Sequence, residues 1–579
     1  MKKKDMIKYL FKVMSNYKKM YLMGVAFMVI SSITAICMPY FIMMIMDEAV
    51  GERDLKLLIY FVVFALFVDI IQEVSTFFSD YFFTKTGRLF VKNLRIECIK
   101  HIQRQEGKDL VDQDSGETFT TLFSDIENVQ QITTTELVKL VSDIIISVGM
   151  LIFLIFLQWD LLLIIIMVQL IIIFLQKIMS STVERQSELL RDGSGELNSM
   201  VQEMLSNILN FIVTNAKKLF MPRYILSENT NSKMLLNLRM IFSVGMSING
   251  LLGSIMTLSI LGLGGYKVII GTLTLGGLVT FNIYSQRLVS PLIRITQFNM
   301  KVANAFVSWK KINDILATTA VEQNNTIDLP QDHGDITFKN VCFSYGEKTI
   351  FDNLNLKLEA GKTHAIVGES GVGKTTLIYL LLRIWQINEG EIKINGINIK
   401  DIDIEILREF IGVVTQNTYI LNDSIFNNIL LGHQIENFDF ENVLYSSDLY
   451  GFVDGLPNKW DTKVGQNGVK LSGGQKQKIS IARTILRKSP ILVFDEATSN
   501  LDNKSEDSIL SSLFRNMKGK TKIIISHRLT TIIEADIIHV IKDGKVIEEG
   551  THRDLMICNG YYHSLYNVGR REDTISLQR

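Results

Sequence analysis

The chain has 579 residues, which is too long for one compact core at about 100–200 residues per domain. Hydrophobic residues make up 47% and charged residues only 21% of the sequence, so part of the chain is expected to lie in lipid. The 60 basic and 60 acidic residues cancel, which gives no reason to expect a nucleic-acid partner. The four cysteines form neither a metal-ligand pattern nor a disulfide pattern, which indicates a reducing compartment.

Long apolar stretches fill the first half of the chain and predict six membrane-spanning helices. Each stretch approaches or exceeds the ~20 residues that are needed to cross a bilayer. The stretches lie around 21–46, 55–83, 137–157, 160–179, 241–265 and 268–290. The first is much longer than the core of a signal peptide, and no small-residue cleavage site follows it, so we expect an uncleaved span.

Basic residues in the connections predict the orientation of the spans. The connections after the first, third and fifth spans are short and carry few basic residues, whereas 84–136 and 180–240 are long and rich in Lys and Arg. Because Lys and Arg stay on the cytoplasmic side, the long connections, the N-terminus and everything after the sixth span are predicted to be cytoplasmic, in a multi-pass protein of the cytoplasmic membrane. Pro222 is the only strong breaker in the two long connections, so the spans are predicted to continue as helices into the cytoplasm.

Two groups of polar residues lie inside the predicted spans. Asp69, Glu73, Thr76 and Asp80 recur at spacings that place them on one face of the second span. This face either lines a cavity that attracts cationic substrates or belongs to a helix that has already left the lipid, and the sequence leaves both open. In the third span, Lys139 lies four residues before Asp143, and the two are expected to pair.

The composition changes after Trp309 and predicts a second domain. We expect a transmembrane domain over 1–317, a linker over 318–334 and the second domain over 335–579. A short apolar strand, 363–367, runs into the pattern G-x-x-x-x-G-K-T and then into an apolar helix, which is the context that a phosphate-binding loop requires. The residues assigned to phosphate binding are Gly368, Glu369, Ser370, Gly371, Val372, Gly373, Lys374, Thr375 and Thr376. Lys374 is expected to reach the β and γ oxygens, and the Thr375 hydroxyl to ligate Mg²⁺.

Two acidic residues follow a second buried strand. The apolar run 491–494 ends in Asp495 and Glu496, so both carboxylates are expected at the carboxyl edge of the sheet, where open α/β sheets bind ligands. Asp495 suits Mg²⁺, usually through a water molecule, and Glu496 is the candidate base that orients the attacking water.

Between the two strands lies the segment Leu471, Ser472, Gly473, Gly474, Gln475, while Gln416 and His527 each follow a predicted strand. With these residues the chain closely resembles the ATP-binding cassette family, as a half-transporter of the exporter type. The resemblance covers almost the whole chain. It implies a helical membrane domain, with long cytoplasmic helix extensions, and an α/β P-loop ATPase domain with a helical subdomain.

The resemblance also implies roles for the remaining motif residues. The segment 471–475 would close on the γ-phosphate of ATP held by the opposite subunit. Tyr345 would stack on adenine, and Asp502 would bridge the two cassettes. Gln416 would sense Mg²⁺ and the membrane helices, and His527 would touch the γ-phosphate. Glu496, His527 and Gln416 are thus the catalytic candidates, and Thr375, Gln416 and Asp495 are the candidate metal ligands.

Two residues depart from the family pattern, and two segments match it loosely. Gln466 stands where the family usually has Glu, and Asn500 replaces the more usual alanine. Both are compatible with hydrolysis, and the first bears on communication with the membrane helices. The segments 112–125 and 207–223 resemble the two cytoplasmic coupling regions of exporters.

The sequence therefore predicts ATP-driven export of an amphipathic substrate, whether peptide, lipid or drug, by alternating access. All motif residues of one nucleotide site are present, so we expect two identical copies to pair in the bilayer. A membrane-bound regulatory ATPase or gated channel that uses the same nucleotide switch is the alternative. The spans exclude a soluble cassette ATPase that acts on nucleic acid. We also expect no leader-cleaving peptidase domain, because only residues 1–20 precede the first span.

Overall fold

The computed structural model of the protein describes residues 17–113, 115–318, 329, 334–433, 440–496, 517–525 and 532–567. Contacts divide the chain into two units, one of Met1–Ile102 and Asp114–Ala317, and the other of Gln103–Gln113 and Thr318–Arg579. The predicted linker lies almost entirely outside the described residues, and the domain boundaries stay a prediction.

The first unit is built of long helices joined by short helical turns. Nine helices precede the first strand in the described residues, namely α1 (Lys18–Met44), α2 (Leu55–Ile102), α3 (Gly107–Asp112), α4 (Ser115–Thr120), α5 (Ile126–Gln131), α6 (Leu137–Ser206), α7 (Ile208–Val213), α8 (Lys217–Ile269) and α9 (Leu275–Ala317). Of these, α3 belongs to the second unit. The backbone is π-helical over Ile45–Val50, Thr121–Asp125 and Ile132–Glu136. The lengths of α2, α6 and α8 show that helices from the predicted spans extend well into the two long connections, which are interrupted near residues 103–106 and 214–216.

Four helical stretches of the described residues are long and apolar enough to cross a membrane. They are Lys18–Val50, Leu55–Ile102, Gly116–Ser206 and Lys217–Ile269. The third stretch contains two of the predicted spans, and it bends at Gln158, whose φ of −160° and ψ of 96° are not helical. The predicted sixth span, 268–290, begins at the end of α8, crosses the turn after Ile269 and continues in α9, which is outside these four stretches. The number of six spans therefore stays a prediction.

The three connections that were predicted to share one side contact one another. The Asp47 carboxylate accepts hydrogen bonds from the Thr274 hydroxyl, at 2.5 Å, and from the Gly276 N–H, at 2.8 Å. Lys267 forms an ion pair with Asp160, and its ammonium also donates to the Gln158 side chain. The first and third connections therefore both meet the last one, as helices that alternate in direction require.

The predicted Lys139–Asp143 pair is wrong. Asp143 is buried, with 6% of its surface exposed, and it accepts two hydrogen bonds of 2.6 Å from the guanidinium of Arg294 in α9. Lys139 is exposed. A planar guanidinium matches both carboxylate oxygens at once, whereas a lysine offers a single point charge on a flexible stem. The buried carboxylate is thus neutralised across two helices instead of within one.

The second unit contains two sheets. The strands are β1 (Ile336–Tyr345), β2 (Lys348–Leu358), β3 (Thr363–Val367), β4 (Glu389–Ile394), β5 (Ile397–Asn398), β6 (Ile411–Val414), β7 (Ile491–Asp495), β8 (Thr521–Ile525), β9 (Ile537–Lys542) and β10 (Lys545–Gly550). One sheet has the order β2-β1-β4-β5 and is antiparallel. The other has the order β10-β9-β3-β8-β7-β6, and it is parallel except for the β9–β10 edge. Every residue of β3, β7 and β8 is buried, as in a parallel sheet covered on both faces.

Besides α3 and the helical segment 561–567, seven helices of the described residues belong to this unit, namely α10 (Lys374–Leu381), α11 (Ile404–Phe410), α12 (Ile425–Leu430), α13 (Phe440–Ser446), α14 (Tyr450–Asp454), α15 (Gly473–Arg487) and α16 (His552–Ile557). Helices α12 to α15 share a hydrophobic cluster of their own, which includes Ile425, Leu444 and Ile479. The expected architecture, an α/β ATPase domain with a helical subdomain, is therefore confirmed.

Candidate functional site

The loop between β3 and α10 has the geometry of a phosphate cradle. Gly371 and Gly373 have φ values of +84° and +106°, a region that residues with a side chain rarely adopt. A Cβ on Gly373 would also lie 2.5 Å from Ile350 Cγ2, so this position tolerates only glycine. Such turns align successive backbone N–H groups around an anion.

Lys374 is the first residue of α10, and its ammonium folds back over the loop. The side chain donates to the carbonyl oxygens of Gly368 and Glu369, both at 2.8 Å. Burial lowers the pKa of Lys374, while the nearby carboxylates of Glu496 and Asp495 oppose this shift. An entering phosphate would replace the two carbonyls as the acceptor for this charge.

Thr375 and Asp495, which lie 120 residues apart in sequence, meet at the carboxyl edge of the parallel sheet. The Thr375 hydroxyl donates to the Asp495 carboxylate at 3.4 Å. Burial raises the pKa of Asp495; the Thr375 hydrogen bond lowers it, the Glu496 charge raises it further, and Lys374 lowers it. A buried carboxylate that receives one long hydrogen bond fits a hard cation bound next to phosphate oxygens. No cluster of three or more His, Cys, Asp or Glu side chains suited to a metal occurs among the described residues.

Glu496 and Gln416 also contact each other. The Gln416 side-chain amide donates to the Glu496 carboxylate at 2.6 Å. Glu496 has a φ of +49°, and its N–H donates to the Ile525 carbonyl of β8 at 2.9 Å. A glutamate in this conformation is strained, and such strain is concentrated at functional sites. The strained backbone and the neighbouring strand therefore fix where the Glu496 carboxylate points.

The segment 471–475 begins helix α15. Ser472 caps the helix and accepts a hydrogen bond from the Gln475 N–H at 3.2 Å, while the Gln475 side chain accepts from the Ser472 N–H at 2.8 Å. Two backbone donors are satisfied in this way, and a hydroxyl that accepts one bond can still donate its own hydrogen. The segment is therefore a rigid helix N-terminus, which suits contact with an anion.

Tyr345 ends strand β1 beside the loop. Its hydroxyl donates to the Thr376 hydroxyl at 3.3 Å. Its ring is perpendicular to that of Trp385, with the centroids 4.7 Å apart. Stacking on adenine stays a prediction for this residue. His527, Asp502 and Asn500 lie outside the described residues, and their predicted roles stay predictions as well.

Residues 103–113, here called the contact segment, pack on the ATPase unit and begin before the coupling region 112–125 that the sequence led us to expect. Residues 103–113 belong to the second unit, and the Gly107 N–H donates to the Ile384 carbonyl at 2.6 Å. A Cβ on Gly107 would lie 2.6 Å from Trp385 Nε1, so glycine permits the approach. The expected segment 112–125 therefore overlaps this contact only at its first residues. A glycine followed by a short helix was the signal that could have located it.

The acidic face of α2 lies exposed on the first unit. Asp69, Glu73 and Asp80 are exposed, and none of them forms an ion pair with another described residue. Thr76 is half-buried and donates to the Ser31 hydroxyl at 3.1 Å and to the Gln72 carbonyl at 2.9 Å. The three carboxylates thus point away from the helices that pack against α2.

Comparison with known proteins gives matches over nearly the whole chain. The ABC transporter transmembrane region family matches residues 21–292, and the ABC transporter family matches residues 351–499. A protein named ATP-dependent lipid A-core flippase from Syntrophus aciditrophicus is 28% identical over 581 residues, which cover 99% of this chain and 96% of that protein. Proteins of the same name from Photobacterium profundum and Escherichia coli are 29% and 28% identical, and the matches cover 97% and 90% of this chain and 98% and 91% of those proteins.

A solved structure has the same fold. The structure of a bacterial Atm1-family ABC exporter with ATP bound superposes with a TM-score of 0.79 at 24% identity, and the match covers 95% of this chain and 98% of that one. This structural match covers both the transmembrane region and the ATPase region that the two family matches identify. The chain therefore belongs to the ABC transporters, in the exporter arrangement that joins a transmembrane region and an ATPase domain in one polypeptide.

Proposed function

We propose that this multi-pass membrane protein exports an amphipathic, lipid-like substrate across the cytoplasmic membrane as a dimer of two identical copies. ATP hydrolysis coupled to transport follows from its ABC transporter ATPase domain. The observation that carries the hydrolytic part of the proposal is the meeting of four motif residues at one sheet edge: Thr375 contacts Asp495, and Gln416 contacts Glu496. We assign these residues, whose segments lie 80 and 120 residues apart, to one hydrolytic site.

Each of these residues then has a distinct task. The loop amides and Lys374 bind the phosphates, and Glu496 accepts the proton of the attacking water. Gln416 donates a hydrogen bond that holds the Glu496 carboxylate in place, and it would link that carboxylate to the membrane helices, as the family resemblance implies. Thr375 and Asp495 would hold Mg²⁺, which neutralises charge on the phosphate oxygens when it is bound.

The exposed acidic face of α2 supports both the dimer and the nature of the substrate. At 1.5 Å per residue, Asp69 and Glu73 lie roughly 21 and 27 Å along the helix from Leu55, toward the far boundary of a hydrocarbon layer that is ~30 Å thick. Charged side chains are costly in contact with lipid tails, so we infer that this side of α2 faces water or a second subunit. A cavity between two copies provides such a surface, and its charge favours a substrate with a cationic part.

The relatives support a lipid-like substrate, since those named above are called lipid A-core flippases. An amphiphile with a cationic head group combines that lipid character with the charge of α2. A phosphorylated, purely anionic amphiphile would be repelled by the same face. The proposal therefore takes the lipid character of the substrate from the names of the relatives, and the charge of its head group from the acidic face of α2.

The test is transport by purified protein in sealed liposomes. ATP-dependent uptake and ATPase stimulation are measured for cationic, zwitterionic and anionic amphiphiles, with the double variant Asp69→Asn/Glu73→Gln compared at matched ATPase rate. Selective loss of cationic transport supports the proposal. Unaltered cationic transport removes the acidic face from the mechanism, and ATP-gated ion conductance without uptake would favour the channel alternative.

The identity of the partner subunit needs its own measurement. Native mass spectrometry in nanodiscs is expected to give twice the chain mass, with ATPase activity in that species. Activity that appears only after another ABC chain is added would refute the homodimer. The variant Lys374→Ala, mixed with wild type at known ratios, tests whether both sites of one dimer are needed.

A further inference from the structure

A residue near the end of the described chain contacts the phosphate-binding loop. The Tyr561 hydroxyl donates to the carboxylate of Glu369, the second residue of the loop, at 2.5 Å. The two residues lie 192 positions apart. The hydrogen bond to Glu369 favours the protonated hydroxyl and raises the pKa of Tyr561 to about 12. The side chain of Glu369 is otherwise exposed.

The surrounding chain holds Tyr561 firmly in position. The Glu548 carboxylate of β10 accepts the backbone N–H of Tyr561 at 2.5 Å and that of Tyr562 at 2.9 Å, at the start of the helical segment 561–567. A Cβ on Gly560 would lie 2.3 Å from Glu548 Oε1, so glycine permits this capping. Tyr562 itself is buried and bonds His552 at 2.8 Å.

A cation lies on the same tyrosine. The Lys542 ammonium lies 4.4 Å from the centre of the Tyr561 ring, at the end of strand β9. Strand β9 pairs with β3, which leads directly into the loop. Lys542, Tyr561 and Glu369 therefore form one short chain of contacts beside the phosphate-binding loop. The backbone of Glu369 belongs to that loop, but its side chain has no task in the proposed hydrolysis.

We propose that Tyr561 is a positioning residue, which holds the Glu369 carboxylate away from the nucleotide phosphates. A carboxylate on the second residue of a phosphate-binding loop repels a polyphosphate if its side chain turns toward the loop mouth. The hydroxyl of Tyr561 gives that carboxylate a fixed partner outside the mouth. The inference rests on the proposed nucleotide site, since it concerns the same loop.

The test compares four variants of the full-length protein in nanodiscs, by titration with ATP, ADP and adenosine and by steady-state ATPase kinetics. Tyr561→Phe keeps the ring and its contact with Lys542 but removes the hydroxyl. It is expected to weaken ATP binding by about two- to fivefold, since an exposed charged hydrogen bond is worth about 0.5–1 kcal/mol, and to raise KM more than it lowers kcat. The loss is expected to shrink from ATP to ADP and to vanish for adenosine.

Rescue separates positioning from a merely structural role. Glu369→Gln removes the charge, so the double variant Tyr561→Phe/Glu369→Gln is expected to bind ATP as tightly as Glu369→Gln alone. Tyr566→Phe, in the same helical segment but against His552 and Tyr562, is the control that should bind like wild type. Unchanged affinity in Tyr561→Phe, or a loss that persists in the double variant, overturns the inference. Wild-type protein that does not bind ATP would instead refute the nucleotide site.

Discussion

Two buried histidines in the core of the ATPase unit make its stability depend on pH. His364 of β3 and His539 of β9 are both fully buried, and their rings share a hydrogen bond of 3.0 Å. The Glu359 carbonyl can only accept, so His364 Nε2 carries a hydrogen, and His364 Nδ1 then accepts from His539 Nε2. His539 Nδ1 is left without a hydrogen-bond partner among the described residues, 3.7 Å from the Glu549 carboxylate. His364 has one nitrogen that donates and one that accepts, so its ring is neutral, and burial favours the neutral form of His539 as well.

The sign of the effect follows from the pKa values. Burial lowers the pKa of His539 to about 3 from its ordinary 6.5, and burial also lowers that of His364. Because the unfolded chain binds these protons more tightly, the contribution to stability is complete above pH 6.5 and is lost as the pH falls toward 3. For His539 alone, the loss between pH 7 and pH 5 is about 2 kcal/mol. In a domain of this size that corresponds to a fall of about 4–8 °C in Tm.

The measurement compares wild type with His539→Gln, which keeps a side-chain donor without a group that titrates in this range. Thermal unfolding of the purified chain is followed at fixed scan rate from pH 8 to pH 5, because unfolding of large proteins is often irreversible. Between pH 7 and pH 5, the Tm of the variant is expected to fall by about 4–8 °C less than the Tm of wild type. His433→Gln, outside both sheets, serves as the control and should follow wild type. Equal losses in wild type and His539→Gln would refute the reasoning.

Three further predictions concern the nucleotide site and the membrane unit. Glu496→Gln is expected to bind ATP but to lower turnover by about 10²–10⁴-fold, because the base is lost, and near-wild-type ATPase activity would contradict this. Lys374→Ala is expected to weaken ATP binding itself by about tenfold or more, and an unchanged Kd by nucleotide titration would count against its role. Arg294→Leu leaves the buried Asp143 carboxylate unpaired, which lowers the free energy of unfolding by up to about 3–5 kcal/mol. The loss is smaller than for a fully buried pair, because the Arg294 guanidinium is half-exposed. Asp143→Leu/Arg294→Leu should recover most of the lost Tm, and equal Tm values in the single and double variants would refute the coupling.

The parallel sheet and its loop could be predicted from the sequence for a simple physical reason. Strands buried on both faces appear as short, uninterrupted apolar runs, and β3 and β7 are such runs, ended by glycine and by acids. The carboxyl ends of parallel strands share one edge. The order of strands and loops therefore implied that Thr375 lies near Asp495. In the structure, the Thr375 hydroxyl donates a hydrogen bond of 3.4 Å to the Asp495 carboxylate.

Partners that come from distant elements could not be found in this way. The spacing of Lys139 and Asp143 satisfied a local rule, yet the guanidinium that neutralises Asp143 lies 151 residues away, in α9. Nothing in the sequence near Tyr561 points to the loop either, because the cap formed by Glu548 sets its position. Such pairs depend on how elements pack, which one sequence without an alignment does not reveal.

The contact segment at Gly107 shows how packing can give a role to residues that no motif marks. Trp385 follows α10 in the chain, and its ring meets Tyr345 on one side and the Gly107 backbone on another. The Glu106 side chain also accepts a hydrogen bond from Gln386. The tyrosine that is predicted to hold adenine and the segment 103–113 therefore share one aromatic neighbour. Close-packed side chains transmit displacement, so a shift of the Tyr345 ring pushes the Trp385 ring toward Gly107. Without a side chain, Gly107 leaves space into which Trp385 can move. A Cβ at Gly107 would fill that space, because it would lie 2.6 Å from Trp385 Nε1.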